Sequence, residues 1–139
     1  MMKALRVEGT LQAIEPIVKF AIQAAKEAGL DDQATFRIRL AVDELITNII
    51  MHGYLEAGRS GDIIISSEID EEGLKIYLED YGVSQTAQRR PEPGCAIEER
   101  PLGGSLIWPV AIDQFHYEHD RNGNRSVLVL ERPCPSKTC

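Results

Sequence analysis

Three polar residues, Glu44, Asn48 and His52, follow one another at intervals of four in the sequence RIRLAVDELITNIIMHGY. On a helix, four residues advance the side-chain direction by only about 40°, so these side chains form one narrow polar stripe. The stripe borders an apolar helix face that consists of Ile38, Ala41, Val42, Leu45, Ile46 and Ile49. A carboxylate, an amide and an imidazole therefore lie at the edge of a buried surface, where a cleft can hold reactive groups rigidly.

The chemistry that this stripe would support is acid–base catalysis together with metal binding. The Glu44 carboxylate can act as a general base or position a water molecule. The Asn48 side chain supplies a neutral oxygen, which suits Mg²⁺ because this ion keeps several waters and takes few protein ligands. The alternative is a solvated polar edge on an amphipathic helix, although asparagine within a helix costs helix propensity. The stripe alone leaves both interpretations open.

A second candidate group, Glu79, Asp80, Tyr81 and Gly82, ends a strand-like run. A carboxylate at the end of a strand can accept a hydrogen bond from an exocyclic amine. A glycine two residues later lets the backbone approach a flat ligand closely. The alternative is an ordinary turn after a strand.

The third candidate group is the run Arg100–Gly104, with the sequence RPLGG, which precedes a predicted helix. Glycines that lead into a helix N-terminus expose N–H groups that can bind phosphate. Arg100 would add a positive charge and a forked set of donors. The alternative is a flexible loop followed by the start of a helix.

One strand and one helix are predicted for the N-terminal part of the chain. Residues 3–8 are predicted to form a short strand. Thr10 is in position to cap a helix over 11–28, where apolar residues recur on one side. Gly29 is predicted to end this helix as the residue after the C-cap.

The second helix, predicted over 33–52, carries the polar stripe. Asp31 or Asp32 is predicted to cap its N-terminus. Gly53 is predicted to stop it directly after His52.

Four further runs are strand-like and form two predicted hairpins: 62–70, 74–80, 114–120 and 125–132. The second hairpin turns at Asn-Gly, which is a strong hairpin signal. Between the hairpins, residues 81–101 contain three prolines and little periodicity, which predicts a functional lid or a disordered insert. A short helix is predicted to follow Gly103 and Gly104.

The order of these elements is strand, two helices, two strands, lid, helix, two strands, which predicts an α+β fold. We expect a two-layer sandwich with a mixed, mostly antiparallel sheet and the helices on one face. The chain of 139 residues is expected to form a single domain over 1–132, followed by a C-terminal tail at 133–139.

The charge and composition argue against several classes of function. The net charge of −7, from 15 basic and 22 acidic residues, disfavours nonspecific binding to nucleic acid or anionic membranes. It fits a basic protein partner, or simply solubility. The chain has no apolar run of about 20 residues and no signal-peptide pattern, which predicts a cytoplasmic protein without a membrane segment. Cys95, Cys134 and Cys139 include no CxxC pair, which argues against a zinc site or a disulfide framework.

Taken together and in this order, the three groups resemble the motifs of the GHKL (Bergerat-fold) ATPase superfamily. The polar stripe resembles its N box, E-x3-N with histidine four residues on, and Asp80-x-Gly82 resembles the D-x-G motif of its first glycine-rich box. Gly103 and Gly104 fall where the second glycine-rich box ends the ATP lid. Within the superfamily, LAVDELITNIIMHGY and RPLGGSLIWPVAIDQFHYE are similar to the small anti-sigma-factor serine/threonine kinases of bacterial partner-switching systems. The resemblance covers about residues 5–132.

For the first two motifs, the resemblance implies definite roles. Glu44 would be the catalytic base that activates a serine hydroxyl on a partner protein, and Asn48 would hold the Mg²⁺ that bridges the ATP phosphates. Asp80 would accept a hydrogen bond from the adenine amino group, and Gly82 would pass close to the ring. The resemblance assigns no chemistry to His52, which we expect to be partly buried and hydrogen-bonded.

For the third motif, the resemblance implies that Arg100 meets the terminal phosphate of ATP. It also implies that Gly103 and Gly104 belong to the ATP-binding lid. The sequence departs from the family pattern here, because Leu102 stands where the family has the first glycine of G-x-G. This departure implies a weaker hold of the lid on the ATP phosphates, and therefore lower catalytic turnover.

The resemblance implies an ATP-binding, Mg²⁺-dependent anti-sigma or switch protein serine kinase. Such a protein phosphorylates an antagonist protein and regulates a partner, for example a sigma factor, by sequestration; a homodimer is compatible with this function. The alternative is a catalytically inactive nucleotide-binding module that sequesters a protein partner. A third alternative, the catalytic domain of a split histidine kinase, is disfavoured because no dimerisation helix precedes residue 5.

Overall fold

Five strands form one sheet in the computed structural model, which describes residues 2–83, 113–121 and 123–131. In chain order the strands are β1 (Met2–Glu8), β2 (Asp62–Ile69), β3 (Gly73–Asp80), β4 (Gln114–Asp120) and β5 (Gly123–Glu131). Their spatial order is β1-β2-β3-β5-β4, and all four pairings are antiparallel. The predicted strands are confirmed, and these five form a purely antiparallel sheet where a mixed one was expected.

The first helix, α1 (Ile14–Glu27), follows a single 3-10 turn at Leu11–Ala13. Thr10 precedes that turn, but its side chain makes no capping hydrogen bond, so the predicted cap is wrong. The helix ends as predicted, because Gly29 adopts a φ of 77°. Two backbone hydrogen bonds of the Schellman type close its last turn.

The second helix, α2 (Asp32–Asn48), begins at a cap formed by Asp31, which accepts a hydrogen bond from a first-turn N–H at 2.8 Å. The helical run does not stop at Gly53, as the sequence predicted, but continues as a π-helical segment, Ile49–Leu55. The Gly53 backbone is buried there, and tertiary packing overrides the local stop signal.

The hydrophobic core lies between the sheet and the two helices, which cover one of its faces. Alternate residues of the strands point towards the helices, and the buried ones include Ile63, Ile65, Leu74, Ile76, Leu78, Leu128 and Leu130. The helical run contributes Ile38, Ala41, Val42, Leu45, Ile46 and Ile49, which is the apolar face predicted beside the polar stripe. Each fully buried Leu or Ile side chain contributes about 1.5–3 kcal/mol to folding. The predicted two-layer α+β architecture is confirmed.

The predicted lid, the helix after it and the tail at 133–139 lie outside the described residues. In the part of the chain that is described, no helix is long and apolar enough to cross a membrane.

Candidate functional site

Polar side chains are buried at one end of the sheet, on the face that the helices cover. Asp80 ends β3, and Asn124 lies directly opposite it near the start of β5. Ser126 is buried on the same face of β5, and its Oγ has no hydrogen-bond partner among the described residues. Buried polar groups normally have such partners, so this end of the sheet is a candidate site for a polar ligand.

The π-helical segment packs directly on the turn that follows β3. A Cβ atom at Gly82 would lie 2.6 Å from the Gly53 carbonyl oxygen, so only glycine permits this approach. The Val83 N–H donates to the same oxygen at 3.0 Å. Gly82 was predicted to let a flat ligand approach closely, and that role stays a prediction; the Gly53 backbone fills the side on which a Cβ would stand. The helical run that carries the polar stripe is therefore joined to the end of β3. The contact of Gly53 with Gly82 and Val83 is called the joint below.

Tyr54 adds two hydrogen bonds to the joint from inside the core. Its hydroxyl donates to the Asp62 carbonyl at 2.9 Å and accepts from the Tyr81 N–H at 2.8 Å. Burial raises the pKa of Tyr54 to about 12, so the hydroxyl keeps its proton at neutral pH. The two hydrogen bonds tie the π-helical segment to the start of β2 and to the residue after β3.

The Asp80 carboxylate is held through one of its two oxygens. Oδ1 accepts from the Gly82 N–H at 2.9 Å and from Asn124 Nδ2 at 2.8 Å. Burial raises the pKa of this carboxyl, while Asn124, the Gly82 N–H and the nearby His119 act in the opposite direction. Oδ2 receives no hydrogen bond from the described residues, so it can accept one from an amino group of a ligand.

Asn48 and Glu44 lie one helical turn apart at the C-terminal end of α2, on one side of the helix. Asn48 is only 8% exposed, and its Nδ2 has no hydrogen-bond partner among the described residues. A buried polar group without a partner costs about 1–3 kcal/mol, which a bound ligand would offset. Because an amide can be turned over, Asn48 can present either a donor to phosphate or an oxygen to Mg²⁺. The Asn48 amide therefore fits either a phosphate group or Mg²⁺ as its partner.

His52, the last residue of the polar stripe, lies beyond the end of α2. It lies in the π-helical segment, and its Nδ1 is 2.8 Å from Glu56 Oε1. It is half-buried, so the expectation of a partly buried, hydrogen-bonded histidine is confirmed.

Asn124 is the polar residue of the site that the sequence analysis missed. Its place directly after Asn-Gly assigned it to the hairpin turn, whereas β5 already begins at Gly123. The available signal was the alternation along β5, which puts Asn124 on the same buried face as Ser126 and Leu128.

Arg100, Gly103 and Gly104, the residues predicted to meet the phosphates, lie outside the described residues. Within the described part, the structure brings the turn at Asp80 and Gly82 to the helical run that carries the stripe. A buried acceptor, Asp80, lies at the end of β3, and a buried amide and a half-buried carboxylate lie on the helical run that packs on the turn after it.

This fold and this site define a class of protein. A sequence model of the histidine kinase-like ATPase domain matches residues 7–130. Two helices on a five-stranded antiparallel sheet are consistent with the Bergerat fold of that class. The chain belongs to the family of histidine kinase-like (GHKL) ATPase domains.

Two anti-sigma F factors and one solved structure are similar to this chain. The chain is 27% identical over 99 residues to an anti-sigma F factor of Clostridium perfringens strain SM101, a match that covers 68% of this chain and 70% of that protein. It is 26% identical over 99 residues to the anti-sigma F factor of Clostridium perfringens strain 13, with the same coverage. A solved structure of RsbU and RsbW domains from Mycobacterium tuberculosis superposes with a TM-score of 0.64 at 16% identity, which is a likeness of fold. The match covers 96% of this chain, which spans only 33% of that one.

Proposed function

We propose that this protein is an ATP-dependent serine kinase of the anti-sigma or switch-protein type, which phosphorylates an antagonist protein and sequesters a regulatory partner. The observation that carries the proposal is the packing of Gly53 on Gly82, which joins the motif of Glu44 and Asn48 to that of Asp80. The similarity to proteins named anti-sigma F factors supports a sigma factor as the regulated partner. The net charge of −7 favours a basic surface on that partner. We place the protein in the cytoplasm.

The residues of the site have defined parts in this transfer. Asp80 Oδ2 would accept a hydrogen bond from the adenine amino group of ATP. Asn48 would hold Mg²⁺, which would supply charge neutralisation at the phosphates. Glu44 takes the proton of the attacking serine hydroxyl. The new bond forms between the serine oxygen and the γ-phosphorus, the bond from the γ-phosphorus to the bridging oxygen breaks, and ADP leaves. Such a transfer needs positioning and charge stabilisation from the protein, and no protein nucleophile.

Glu44→Gln tests the proposed base, because it keeps the shape of the side chain and removes its basicity. With γ-labelled ATP, Mg²⁺ and a purified antagonist protein, we expect label transfer to fall by at least about 100-fold while ADP binding persists. Asp43→Asn is the matched control, since Asp43 is the exposed neighbouring carboxylate on α2, and it should transfer label normally. Transfer at the wild-type rate by Glu44→Gln would exclude Glu44 as the base.

The lid sequence favours a second candidate function. Arg100 is proposed to meet the terminal phosphate and Gly103 and Gly104 to form part of the lid backbone, but Leu102 replaces the first glycine of the family pattern. A nucleotide-binding module without kinase activity would use ATP or ADP as a structural ligand and act by sequestration alone. Nucleotide binding by calorimetry, with no label transfer to any candidate antagonist, would select this function over the kinase.

A further inference from the structure

The buried side chain of Asn124 connects β4 and β5 to the recognition carboxylate of the site. Its Nδ2 donates to Asp80 Oδ1 at 2.8 Å and to the Gly82 carbonyl oxygen at 2.9 Å. The amide carries two hydrogens, and both are used in these bonds. Asn124 therefore has no donor left for a ligand and can influence one only through the groups that it holds, Asp80 and Gly82.

Neighbouring groups fix which way the Asn124 amide faces. If the amide were flipped, its oxygen would face the Asp80 carboxylate and the Gly82 carbonyl, neither of which can donate. In the observed orientation, the amide oxygen accepts from the Tyr117 hydroxyl at 2.9 Å and lies 2.7 Å from His119 Nδ1. Because an amide oxygen only accepts, the His119 hydrogen must reside on Nδ1. The Asp80 carboxylate and the Gly82 carbonyl thus fix the donors of Asn124 on their side, and two side chains of β4 hold its amide oxygen on the other.

We propose that Asn124 is a positioning residue that fixes the Asp80 carboxylate for selection of a base with an amino group, an inference that rests on the proposed ATP site. The Gly82 N–H and Asn124 hold Oδ1 from two sides, so the carboxylate cannot rotate and Oδ2 is the oxygen that meets the ligand. Donors at Oδ1 also favour the ionised carboxylate, which can only accept. Such a group selects adenine, which offers an amino hydrogen, over hypoxanthine, which offers a carbonyl oxygen at the same ring position.

The experiment compares the affinities of ADP and inosine diphosphate by calorimetry. Asn124→Asp keeps the shape of the side chain but replaces its NH₂ group by oxygen, so that the two fixed N–H donors to Asp80 and Gly82 are lost. We expect wild type to prefer ADP, and Asn124→Asp to lose at least about tenfold of that preference. Gln114→Glu makes the same amide-to-carboxylate change at an exposed position of β4 and should keep the preference.

A second variant keeps the inference testable where Asn124→Asp does not fold, as judged by circular dichroism. Tyr117→Phe leaves Asn124 in place and removes one of the two groups that hold its amide oxygen, so Asn124 is held less firmly against Asp80 and the preference for ADP should fall by about threefold. If Asn124→Asp is folded and its preference for ADP is unchanged, the positioning role is overturned. If Asn124→Asp is unfolded, an unchanged preference for ADP in Tyr117→Phe has the same consequence. Neither result contradicts the proposed ATP site. Failure of wild type to bind ADP would overturn the proposed function, and this inference with it.

Discussion

Asp80 places an ionisable group where water is almost excluded, since its exposure is 2%. Burial raises the pKa of its carboxyl above the ordinary value of 3.8, and Asn124, Gly82 and His119 oppose the shift. Asn48 is a second buried polar residue that is costly to fold, because its Nδ2 has no hydrogen-bond partner among the described residues. At the residue scale, both groups cost folding stability, which is typical of residues kept for binding.

We expect Asp80→Asn to be at least as stable as wild type at about pH 7. A carboxyl whose folded-state pKa is raised contributes stability below its unfolded-state pKa and loses it as pH rises through the folded-state value. The free energy of unfolding of the variant, relative to wild type, should therefore increase as pH rises above the ordinary carboxyl pKa of 3.8. Urea denaturation at several pH values measures this difference. A decrease over the same range would contradict burial as the main cause of the shift.

At the element scale, the joint between the π-helical segment and the end of β3 positions the site. In Gly82→Ala, the added Cβ would lie 2.6 Å from the Gly53 carbonyl oxygen, so one of the two elements must move. We expect the free energy of unfolding to fall by about 1–3 kcal/mol and the affinity for ADP to fall at least about tenfold.

The control for this variant is Gly58→Ala, away from the joint. A Cβ at Gly58 meets nothing within 4 Å, but its φ of 66° is strained for alanine. Gly58→Ala should therefore lose about 1–2 kcal/mol of stability and bind ADP as wild type does. Denaturation and calorimetry on both variants separate loss of stability from loss of the site. Wild-type ADP affinity in Gly82→Ala would contradict a positioning role for the joint.

The helix boundaries mark where local sequence signals suffice. The Asp31 cap and the Gly29 stop were predictable because each depends on the chemistry of adjacent residues. Gly53 carries the same stop signal, but the helical run continues through it, and Gly53 packs against Gly82 in the turn after β3. Asn124 was assigned to a turn for the same reason, because its decisive partner is a carboxylate 44 residues away in the chain.

At the scale of the whole molecule, the strand order assembles the site. β3 and β5 are neighbours although residues 84–112 and β4 separate them in the chain. Periodicity predicted the two layers and the two hairpins, but it does not specify that β5 pairs with β3. The motif resemblance indicated that Glu44, Asn48 and Asp80 form one site, whereas the contribution of β5 required the register of the folded sheet.

Calorimetric titration of ATP with Mg²⁺ tests the central claim, an ATP site between the end of α2 and the end of β3, most directly. The titration is made into wild type, Asp80→Asn and the control Asp43→Asn. We expect saturable one-to-one binding by wild type and by the control, and at least about tenfold weaker binding by Asp80→Asn. An absence of saturable binding by wild type, or equal affinity in Asp80→Asn, would contradict the account.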